Sequence, residues 1–398
     1  MSLSLSTPSG GEGVPSTTDF NHAANPTQTS VLFVIYGLEP AGPELRLLDF
    51  ARLFPATTQV HICVIGNNLT LLNEFNATTA KIVLVPVRRA YTEWGQIRKI
   101  LSYIHTQRID TINSFDLKTL IVCLVAKLRY GNRIRWIHHI ISLWEDQNRK
   151  HQAFLRWAMR YTDHIICNGY AVKETVIGER SLRVPVSVVP NGVDTAHFCP
   201  SDQQRLYERQ RLGFTPDDFV LGTVANVRPV KNYPLLIHTA QRLILKHPFV
   251  RLVCVGGGSQ FDEMNALTDQ LGLRDRTLFT GAVKDVRPFL STFDAFALCS
   301  LKEGCPNSLM QAMAMAIPTV GSAVGEVPYL LDGGASGLLF EPGDTEGLLF
   351  ALSRLVTDKS YRINLGQSGR RRMVDTYSGA RMINEYVSIF QRLAAEPR

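Results

Sequence analysis

Residues 295–322 read AFALCSLKEGCPNSLMQAMAMAIPTVGS, and this stretch decides the fold class. The apolar run Ala295–Cys299 has the length of a buried strand, and a polar loop follows it. Pro306 suits the first turn of a helix, because its missing N–H would have no partner there. Ile317-Pro318 ends the helix, and Thr319–Ser322 is a second short strand. Strand, helix and strand in this order predict one unit of a parallel sheet.

The loop and the helix start within this stretch have the features of an anion-binding site. Backbone N–H groups of Asn307, Ser308 and Leu309 would lack intrahelical partners and lie at the positive end of the helix dipole. Gly304 permits close approach of a ligand, and Glu303 places one carboxylate beside it. These residues predict a phosphate site with a neighbouring carboxylate. The alternative, an ordinary strand–loop–helix unit with a solvated Glu303, is equally open on these residues alone.

The same alternation extends through the second half of the chain. It restarts after VVPNGVDTAHFCP (residues 188–200), in which Asn191 and Asp194 are expected to shape an interdomain turn, and after a polar stretch to about Asp218. The predicted strands are Val220–Val227 and Val250–Val255, and the predicted helices are Tyr233–Lys246 and Gln260–Leu271.

The first half alternates in the same way. Its predicted strands are Val31–Tyr36, Gln59–Ile65, Lys81–Val85, Ile134–Ile137, His164–Cys167 and Val186–Val189, and its predicted helices are Glu44–Phe54, Gln96–Thr106, Leu117–Leu128 and Arg149–Tyr161. Two Rossmann-like, doubly wound parallel-sheet domains of the α/β class, at residues 31–190 and 191–378, are therefore expected to face a central cleft. Ligands of such sheets bind at the carboxyl ends of the strands.

The composition is that of a globular protein. Of the 398 residues 45% are hydrophobic, and no apolar run approaches the roughly 18 residues needed to cross a bilayer. Residues 1–30 are rich in Ser, Thr, Gly, Pro and Asn and have no basic start, so they predict a disordered leader rather than a signal peptide. The seven cysteines form no Cys-x-x-Cys pair, which disfavours disulfides or zinc and fits a reduced, cytoplasmic setting.

Most of the net charge of +7 lies in the first half. Residues 1–190 contain 20 Lys and Arg against 14 Asp and Glu, whereas residues 191–398 contain 22 against 21. A solvated surface explains most single charges, and anionic lipid or phosphorylated partners of the basic first half are the alternative. Residues 87–104, VRRAYTEWGQIRKILSYI, fit a basic membrane-facing surface and a core-facing helix equally well. Nucleic acid is disfavoured, because no binding module is recognisable.

Four segments carry a resemblance to a known family. They are VVPNGVDTAHF (188–198), GTVANVRPVKNYPLLIHTAQRL (222–243), LVCVGGGSQFDEM (252–264) and residues 279–344, which include the opening stretch. In this order they resemble a retaining glycosyltransferase of the GT-B fold, in glycosyltransferase family 4 (glycosyl transferases group 1). The resemblance runs from about Val31 to Leu393. It implies a nucleotide-sugar-binding second domain, an acceptor-binding first domain, and a final helix within 379–398 that packs back on the first domain.

The resemblance implies roles for several residues of the second domain. The family's Glu-x7-Glu signature falls on Glu303, which would hold donor-sugar hydroxyls, and on Gln311, which would contact the ribose without a charge. The diphosphate-clamping pair of Arg and Lys falls on Asn226 and Lys231, and Arg228 between them is expected to take over the Arg role. Without the family context, the two cations read as solvated loop residues.

Further contacts are implied on both sides of the cleft. Gly42, after the first strand, would lie close to the diphosphate and the acceptor. His138 aligns with a family histidine near the donor sugar, and His139 is the alternative; a lone histidine is more often structural. The segment FTGAV, near Val283, would lie beside the base. Gly256–Gly258 lack the spacing of a dinucleotide fingerprint, so a dehydrogenase is disfavoured.

One further segment departs from the family pattern. GEVPY, at residues 325–329, stands where the family often has Gly-Gly-x-x-Glu. Glu326 and Tyr329 occupy the altered positions, and the resemblance implies no contacts for them.

The resemblance implies transfer of a hexosyl group from a nucleoside diphosphate sugar to an acceptor hydroxyl, with retained configuration and without a metal or other cofactor; no Asp-x-Asp triplet occurs. A lipid-linked or growing saccharide in cell-surface polysaccharide biosynthesis is the expected acceptor, with peripheral contact to the cytoplasmic face of the inner membrane. Two alternatives are a non-catalytic nucleotide-sugar-binding protein, suggested by Gln311 and GEVPY, and a nucleotide-sugar epimerase. A phosphorylase is disfavoured, because no lysine-cofactor site is apparent.

Overall fold

The computed structural model describes residues 29–39, 42–86, 94–141, 149–177 and 184–396. The leader predicted for residues 1–30 lies outside the described residues, except for its last two positions, which begin the first strand. Within the described ranges, no helix is both long enough and apolar enough to cross a bilayer.

The first domain contains a seven-stranded sheet. Its strands are β1 (Thr29–Ile35), β2 (Thr58–Val64), β3 (Lys81–Leu84), β4 (Thr111–Ser114), β5 (Arg135–Ile140), β6 (His164–Cys167) and β7 (Val186–Val188). All pairs are parallel, in the order β3-β2-β1-β4-β5-β6-β7. The helices between them are α1 (Gly42–Leu53), α2 (Leu72–Asn76), α3 (Trp94–Thr106), α4 (Leu117–Tyr130), α5 (Arg149–Met159) and α6 (Tyr170–Ile177).

The second domain contains a six-stranded sheet. Its strands are β8 (Phe219–Val224), β9 (Val250–Val255), β10 (Thr277–Phe279), β11 (Ala295–Leu298), β12 (Thr319–Ser322) and β13 (Leu338–Phe340), in the all-parallel order β10-β9-β8-β11-β12-β13. The remaining helices are α7 (Asp202–Arg211), α8 (Tyr233–Lys246), α9 (Phe261–Gln270), α10 (Arg287–Leu290), α11 (Asn307–Ala314), α12 (Val327–Leu330), α13 (Thr345–Thr357), α14 (Lys359–Asp375) and α15 (Gly379–Ala395).

Each sheet is covered by apolar cores on both faces. In the first domain, one core joins α3, α4 and α5 around Ile104 and Trp136, and the other joins α1 and α15 around Phe50 and Tyr386. Alternate residues of β1 enter the two cores, as the two-residue repeat of a strand requires. The apolar stripe of α3 (Ile97, Ile100 and Ile104) is buried, so this stripe faces the core and not a membrane.

The chain passes between the domains twice, and the two crossing segments lie against each other. Val193, after β7, forms a parallel bridge with Ser378. The N–H of Val193 donates to the carbonyl of Tyr377 at 2.9 Å, and the N–H of Gly379 donates to the carbonyl of Val193 at 2.8 Å. These bonds fix the start of α15 beside the linker that leaves the first domain.

The predicted architecture of two doubly wound parallel-sheet domains is confirmed. The strands predicted at His164–Cys167, Val250–Val255 and Thr319–Ser322 and the helix at Tyr233–Lys246 have the observed bounds. The strand predicted at Ile134–Ile137 was too short, because β5 continues to Ile140.

Three observed strands, β4, β10 and β13, were not predicted. Each has only three or four residues, and β4 reads TINS, with polar residues at three of its four positions. Runs this short carry little two-residue periodicity, and although the four-residue strands β6 and β12 were predicted, β4, β10 and β13 are defined more by their parallel partners than by their own sequence.

Candidate functional site

Both sheets have a point where the chain order reverses. β1 lies between β2 and β4, and β8 lies between β9 and β11. Loops that leave the carboxyl ends of strands diverge at such a point and open a crevice. In the second domain the loops after β8 and β11 meet there, because the N–H of Leu301 donates to the carbonyl of Val230 at 2.8 Å.

Glu303 lies on the loop after β11 and is held by two donors. Lys231 Nζ is 2.5 Å from Glu303 Oε1, and Ser300 Oγ donates to the same oxygen at 2.5 Å. The side chain of Glu303 is 9% exposed and that of Lys231 is 22% exposed. A carboxylate so shielded from water depends on these partners, because burying an unpaired charge is costly. The fold thus joins two predicted site residues that are 72 positions apart in sequence.

The Glu303 loop is fixed from the neighbouring strand. Ser322 Oγ, at the end of β12, donates to the carbonyl of Ser300 at 2.6 Å. Gly325, with φ of +52°, packs so closely that a Cβ would overlap the carbonyl oxygen of Glu303. This position therefore requires glycine for both its backbone conformation and its space.

The start of α11 offers free backbone donors. Pro306 is the N-cap of the helix, one position before the first turn where it was predicted, and no side chain caps the helix. The first-turn N–H groups of Asn307, Ser308 and Leu309 consequently have no intrahelical acceptor. Leu309 is buried in the core, so only its backbone could meet a ligand. The side chain of Asn307 accepts a hydrogen bond from Asn191 Nδ2 at 3.1 Å.

The other residues predicted to bind the donor differ in exposure. Asn226 and Arg228 are exposed on the loop after β8, and Lys231 ends a short 3-10 turn on that loop. Val283 and Gln311 are half-buried, with Val283 packed against the second-domain core. Of these five residues, Lys231 is the one that the structure places against Glu303, and ligand contacts for the others stay predictions.

The glycine run after β9 supports the loop after β8. Gly256 has φ of +137°, and a Cβ there would overlap the carbonyl oxygen of Ala225. The N–H of Val227 donates to the carbonyl of Gly257 at 2.9 Å. These glycines allow two backbone segments to lie in contact, which gives the run a role other than a dinucleotide fingerprint.

Both histidines of β5 lie inside the strand. His138 Nδ1 is 2.9 Å from Ser114 Oγ, and His139 Nε2 is 2.9 Å from Asn113 Oδ1. Burial lowers the pKa of His138 to about 4 and holds the pKa of His139 well below its ordinary value. Both rings are therefore neutral at pH 7, where an imidazole donates at one nitrogen and accepts at the other. Contact of His138 with a donor sugar stays a prediction.

The carboxyl edge of the first sheet faces the Glu303 loop. A Cβ on Gly304 would lie 3.3 Å from the carbonyl oxygen of Ile141, the residue after β5. Asn191 Nδ2 donates to the carbonyl of Cys305 at 3.3 Å. Gly42, the predicted first-domain contact, begins α1 after this same edge. The two domains thus meet at the carboxyl ends of their strands.

Sequence reasoning missed two parts of this region. Ser300 had no signal, because a serine at a strand end is common. Glu326 and Tyr329 were recognised as departures, but their contacts were not anticipated. Both reach the first domain: Glu326 Oε1 accepts from the N–H of Tyr170 at 3.0 Å, and the hydroxyl of Tyr329 donates to Glu174 at 2.7 Å.

Two family descriptions match this chain in tandem. Residues 40–197 match Glycosyltransferase Family 4, and residues 218–358 match Glycosyl transferases group 1. The first match lies on the seven-stranded domain and the second on the six-stranded domain.

Relatives and solved structures are consistent with these matches. The lipopolysaccharide core biosynthesis glycosyltransferase LpsE of Rhizobium meliloti (strain 1021) is 28% identical over 60% of this chain and 66% of its own length. The UDP-Gal:alpha-D-GlcNAc-diphosphoundecaprenol alpha-1,3-galactosyltransferase of Escherichia coli is 26% identical over 71% of this chain and 76% of its own. Among solved structures, Anabaena HepE in complex with UDP has a TM-score of 0.83 at 19% identity, over 92% of this chain and 100% of its own, and shares the fold.

Proposed function

Because this chain belongs to the GT-B glycosyltransferases, with a family 4 domain followed by a group 1 domain, we propose that it moves a sugar from a nucleoside diphosphate sugar to an acceptor hydroxyl with retained anomeric configuration. The observation that carries this proposal is the Lys231–Glu303 pair at the switch point of the second sheet, beside the uncapped start of α11. A cation and free N–H groups suit a diphosphate, and a fixed carboxylate suits sugar hydroxyls.

The diphosphate of the donor is proposed to bind between α11 and the loop after β8. First-turn N–H groups at residues 307–309 would donate to phosphate oxygens at the positive end of the helix. Lys231 and Arg228 would supply charge, so that Lys231 neutralises the diphosphate while remaining close to Glu303. We expect these groups to stabilise the leaving diphosphate without a metal ion.

The sugar and the nucleoside would extend in opposite directions from this point. Glu303 would accept hydrogen bonds from sugar hydroxyls, beside the open backbone of Gly304. Gln311, eight positions after Glu303 on α11, would meet the ribose, and the backbone near Val283 would meet the base. His138, as a neutral imidazole, would be restricted to hydrogen bonding with the sugar.

The transfer step needs no protein base in this proposal. The bond between the anomeric carbon and the phosphate oxygen breaks, and the acceptor oxygen bonds to that carbon from the same face. The acceptor proton passes to the departing phosphate oxygen, which balances the step. Glu303 orients the ring and favours positive charge at the anomeric carbon, while Lys231 stabilises the negative charge on the diphosphate.

Nucleotide binding and turnover test this function. Nucleotide sugars should be screened by thermal shift, beginning with UDP sugars, because one relative is named for UDP-Gal and Anabaena HepE was solved in complex with UDP. A stabilising donor should then yield product whose anomeric configuration, read by NMR, matches that of the donor, with and without EDTA. Inversion, or loss of turnover with EDTA, would contradict the mechanism. Binding without transfer would favour a non-catalytic protein, and acceptor-free conversion of the sugar would favour an epimerase.

Gln311→Glu tests the proposed ribose contact separately. A carboxylate accepts hydrogen bonds from two ribose hydroxyls more strongly than an amide does, so the Kd for UDP should fall by roughly threefold to tenfold. Isothermal titration would measure it, with Gln241→Glu on α8 as the matched control. An unchanged Kd would place the ribose away from α11.

We further propose that the acceptor is lipid-linked and that the protein meets an anionic membrane through its first domain. Two relatives are named for lipopolysaccharide core biosynthesis and for a diphosphoundecaprenol acceptor. Three large apolar side chains are exposed on α3, α4 and α5, which cover one face of the first sheet: Trp94, Leu128 and Trp157. Exposed basic residues lie on α3 and α5 as well; two of these are Arg98 and Lys99 on α3.

Vesicle sedimentation would test the membrane contact. Binding is expected to vesicles that contain phosphatidylglycerol, to weaken as salt rises, and to fall in a Trp94→Ala/Trp157→Ala variant. The matched control is Phe350→Ala, an exposed aromatic residue of the second domain. Equal binding to neutral and anionic vesicles would contradict the anionic contact, and no binding at low salt would leave a soluble saccharide as the favoured acceptor.

A further inference from the structure

The two altered positions of GEVPY, Glu326 and Tyr329, both contact the opposite domain. The carboxylate of Glu326, fully buried, accepts from the N–H of Tyr170 at 3.0 Å and from the N–H of Ala171 at 2.9 Å. These residues begin α6 of the first domain, where backbone N–H groups have no intrahelical acceptor and the helix dipole favours a negative charge. The carboxylate therefore satisfies two donors that Gly would leave unpaired.

Tyr329 makes the neighbouring contacts. Its ring stacks on the ring of Tyr170 with centroids 5.4 Å apart and an interplanar angle of 29°. Its hydroxyl donates to Glu174 Oε1, on the next turn of α6, at 2.7 Å. Space for the Glu326 carboxylate is provided by Gly169, where a Cβ would overlap that carboxylate. The two altered positions thus fit one surface of α6.

The same segment is tied to the Glu303 loop through its backbone. The N–H of Glu326 donates to the carbonyl of Gly304 at 3.0 Å, and Gly325 packs against the carbonyl of Glu303. Glu326 consequently bonds to the Glu303 loop through its main chain and to α6 of the first domain through its side chain. Burial raises the pKa of the Glu326 carboxyl, and the two backbone hydrogen bonds from α6 act against that rise.

We propose that Glu326 and Tyr329, with Tyr170, Ala171 and Glu174, form an interdomain clasp that holds the two domains together and positions the Glu303 loop against the first domain. The clasp is a property of the fold that needs no nucleotide. Its consequence for catalysis rests on the proposed function: a loop held in place loses less freedom when donor and acceptor bind. Glu326 and Tyr329 are therefore positioning residues.

Amide hydrogen exchange reads the clasp directly. The amides of Tyr170 and Ala171 should be protected in the native chain, and Glu326→Ala should speed their exchange by about tenfold or more, because charge-assisted hydrogen bonds are lost. Asp116→Ala is the matched control. Asp116 accepts from the amides of Lys118 and Thr119 at the start of α4, so this variant should speed exchange there and leave α6 unchanged.

Small-angle X-ray scattering would test whether the clasp keeps the two domains together, because separation of the domains increases the radius of gyration. The double variant Glu326→Gly/Tyr329→Glu, which installs the family's usual residues, should increase the radius of gyration, whereas Tyr207→Glu on the exposed surface of α7 should not. Tyr329→Phe keeps the ring stacking and loses only the bond to Glu174, so it should give an intermediate effect.

Either of two results would overturn the clasp: fast exchange of Tyr170 and Ala171 in the native chain, or no change of exchange or radius in the variants. Neither measurement contains a nucleotide, so a failure of the proposed function leaves them interpretable. With a donor identified, Glu326→Gln, which keeps one acceptor oxygen, should restore part of the kcat that Glu326→Ala loses. Equal kcat in the two variants would overturn the positioning role.

Discussion

The carboxylate of Glu303 shares one oxygen between the ammonium group of Lys231 and the hydroxyl of Ser300, and the proposed function places the transfer chemistry at this arrangement. Lys231 and Ser300 come from loops after different strands, so the sheet itself sets the distance between them. A carboxylate that is already held in one orientation loses little conformational entropy when it binds a sugar. Lys231 would also face the diphosphate. One side chain would then contact both the carboxylate that holds the sugar and the diphosphate that leaves.

Glu303→Gln should separate the effect of the negative charge on Glu303 from the effect of the size and shape of its side chain. The amide has the size of the carboxylate but cannot favour positive charge at the anomeric carbon, so we expect kcat to fall by about 100-fold. UDP lacks the donor sugar that Glu303 would hold, and its binding should not weaken, since Lys231 is released from its partner. Transfer assays and titration with UDP would measure both. Glu341→Gln, at an exposed carboxylate after β13, is the control.

Turnover near the native level in Glu303→Gln would contradict the proposed role of the charge. A large loss of UDP affinity together with activity would instead indicate a disrupted loop, and Ser300→Ala would then show whether the loop depends on its hydroxyl bond. The kcat and the Kd for UDP together thus distinguish a chemical effect of the substitution from a structural one.

At the scale of elements, α15 closes the core of the first domain from the far end of the chain. Tyr386 is fully buried, with its ring 4.6 Å from that of Phe50 on α1, and Phe390 lies 5.9 Å from Phe54. The hydroxyl of Tyr386 also accepts from the guanidinium of Arg46. The last helix is therefore part of the first domain's packing.

Tyr386→Ala should destabilise that packing strongly. Loss of a buried aromatic ring typically costs about 3–5 kcal/mol, and here Arg46 also loses a partner. Chemical denaturation followed by far-UV circular dichroism would give the free energy of unfolding, with Tyr207→Ala, at an exposed tyrosine of α7, as the control. Equal stability of the two variants would mean that α15 contributes little to the core.

Elements with strong local patterns were predicted well, and those defined by neighbours were not. α8 and β9 are long enough to show their periodicity and were assigned at their observed bounds. β10 has three residues and exists through its pairing with β9, which no local pattern encodes. At the site, Glu303 and Lys231 were each identified through a family motif, whereas their pairing through Oε1 follows only from the meeting of two loops.

At the scale of the whole molecule, the two domains are joined both by covalent crossings and by side chains. The crossings at Val193 and Gly379 are bonded to each other, and the clasp of Glu326 and Tyr329 connects α6 with the Glu303 loop. Contacts separated by more than 150 residues in sequence leave no local pattern. In the sequence, Glu326 and Tyr329 stood out only as departures from a family motif, and nothing indicated which residues they contact.

Buried histidines make the stability of the whole chain depend on pH. Burial lowers the pKa of His61, His138 and His164 to about 4 each and holds the pKa of His139 well below its ordinary value. In the unfolded chain a histidine titrates near 6.5. Between about pH 6.5 and 4 the unfolded state therefore binds more protons than the folded state, and the free energy of unfolding must fall as the pH falls.

Three carboxyls of the described residues, Glu44, Asp49 and Glu326, act in the opposite direction, because burial raises the pKa of each above its ordinary value. Burial raises the pKa of Asp49 to about 6, so in the folded state it takes up a proton at higher pH than in the unfolded chain, which adds stability as the pH falls. The four histidines outnumber these three carboxyls, so the histidines should set the sign of the pH dependence. Urea denaturation from pH 7 to 4.5 should show stability falling with pH, at roughly 1.4 kcal/mol per pH unit for each net proton. His164→Gln should flatten the slope, and stability that rises toward pH 4.5 would show that these histidines are not buried as neutral groups.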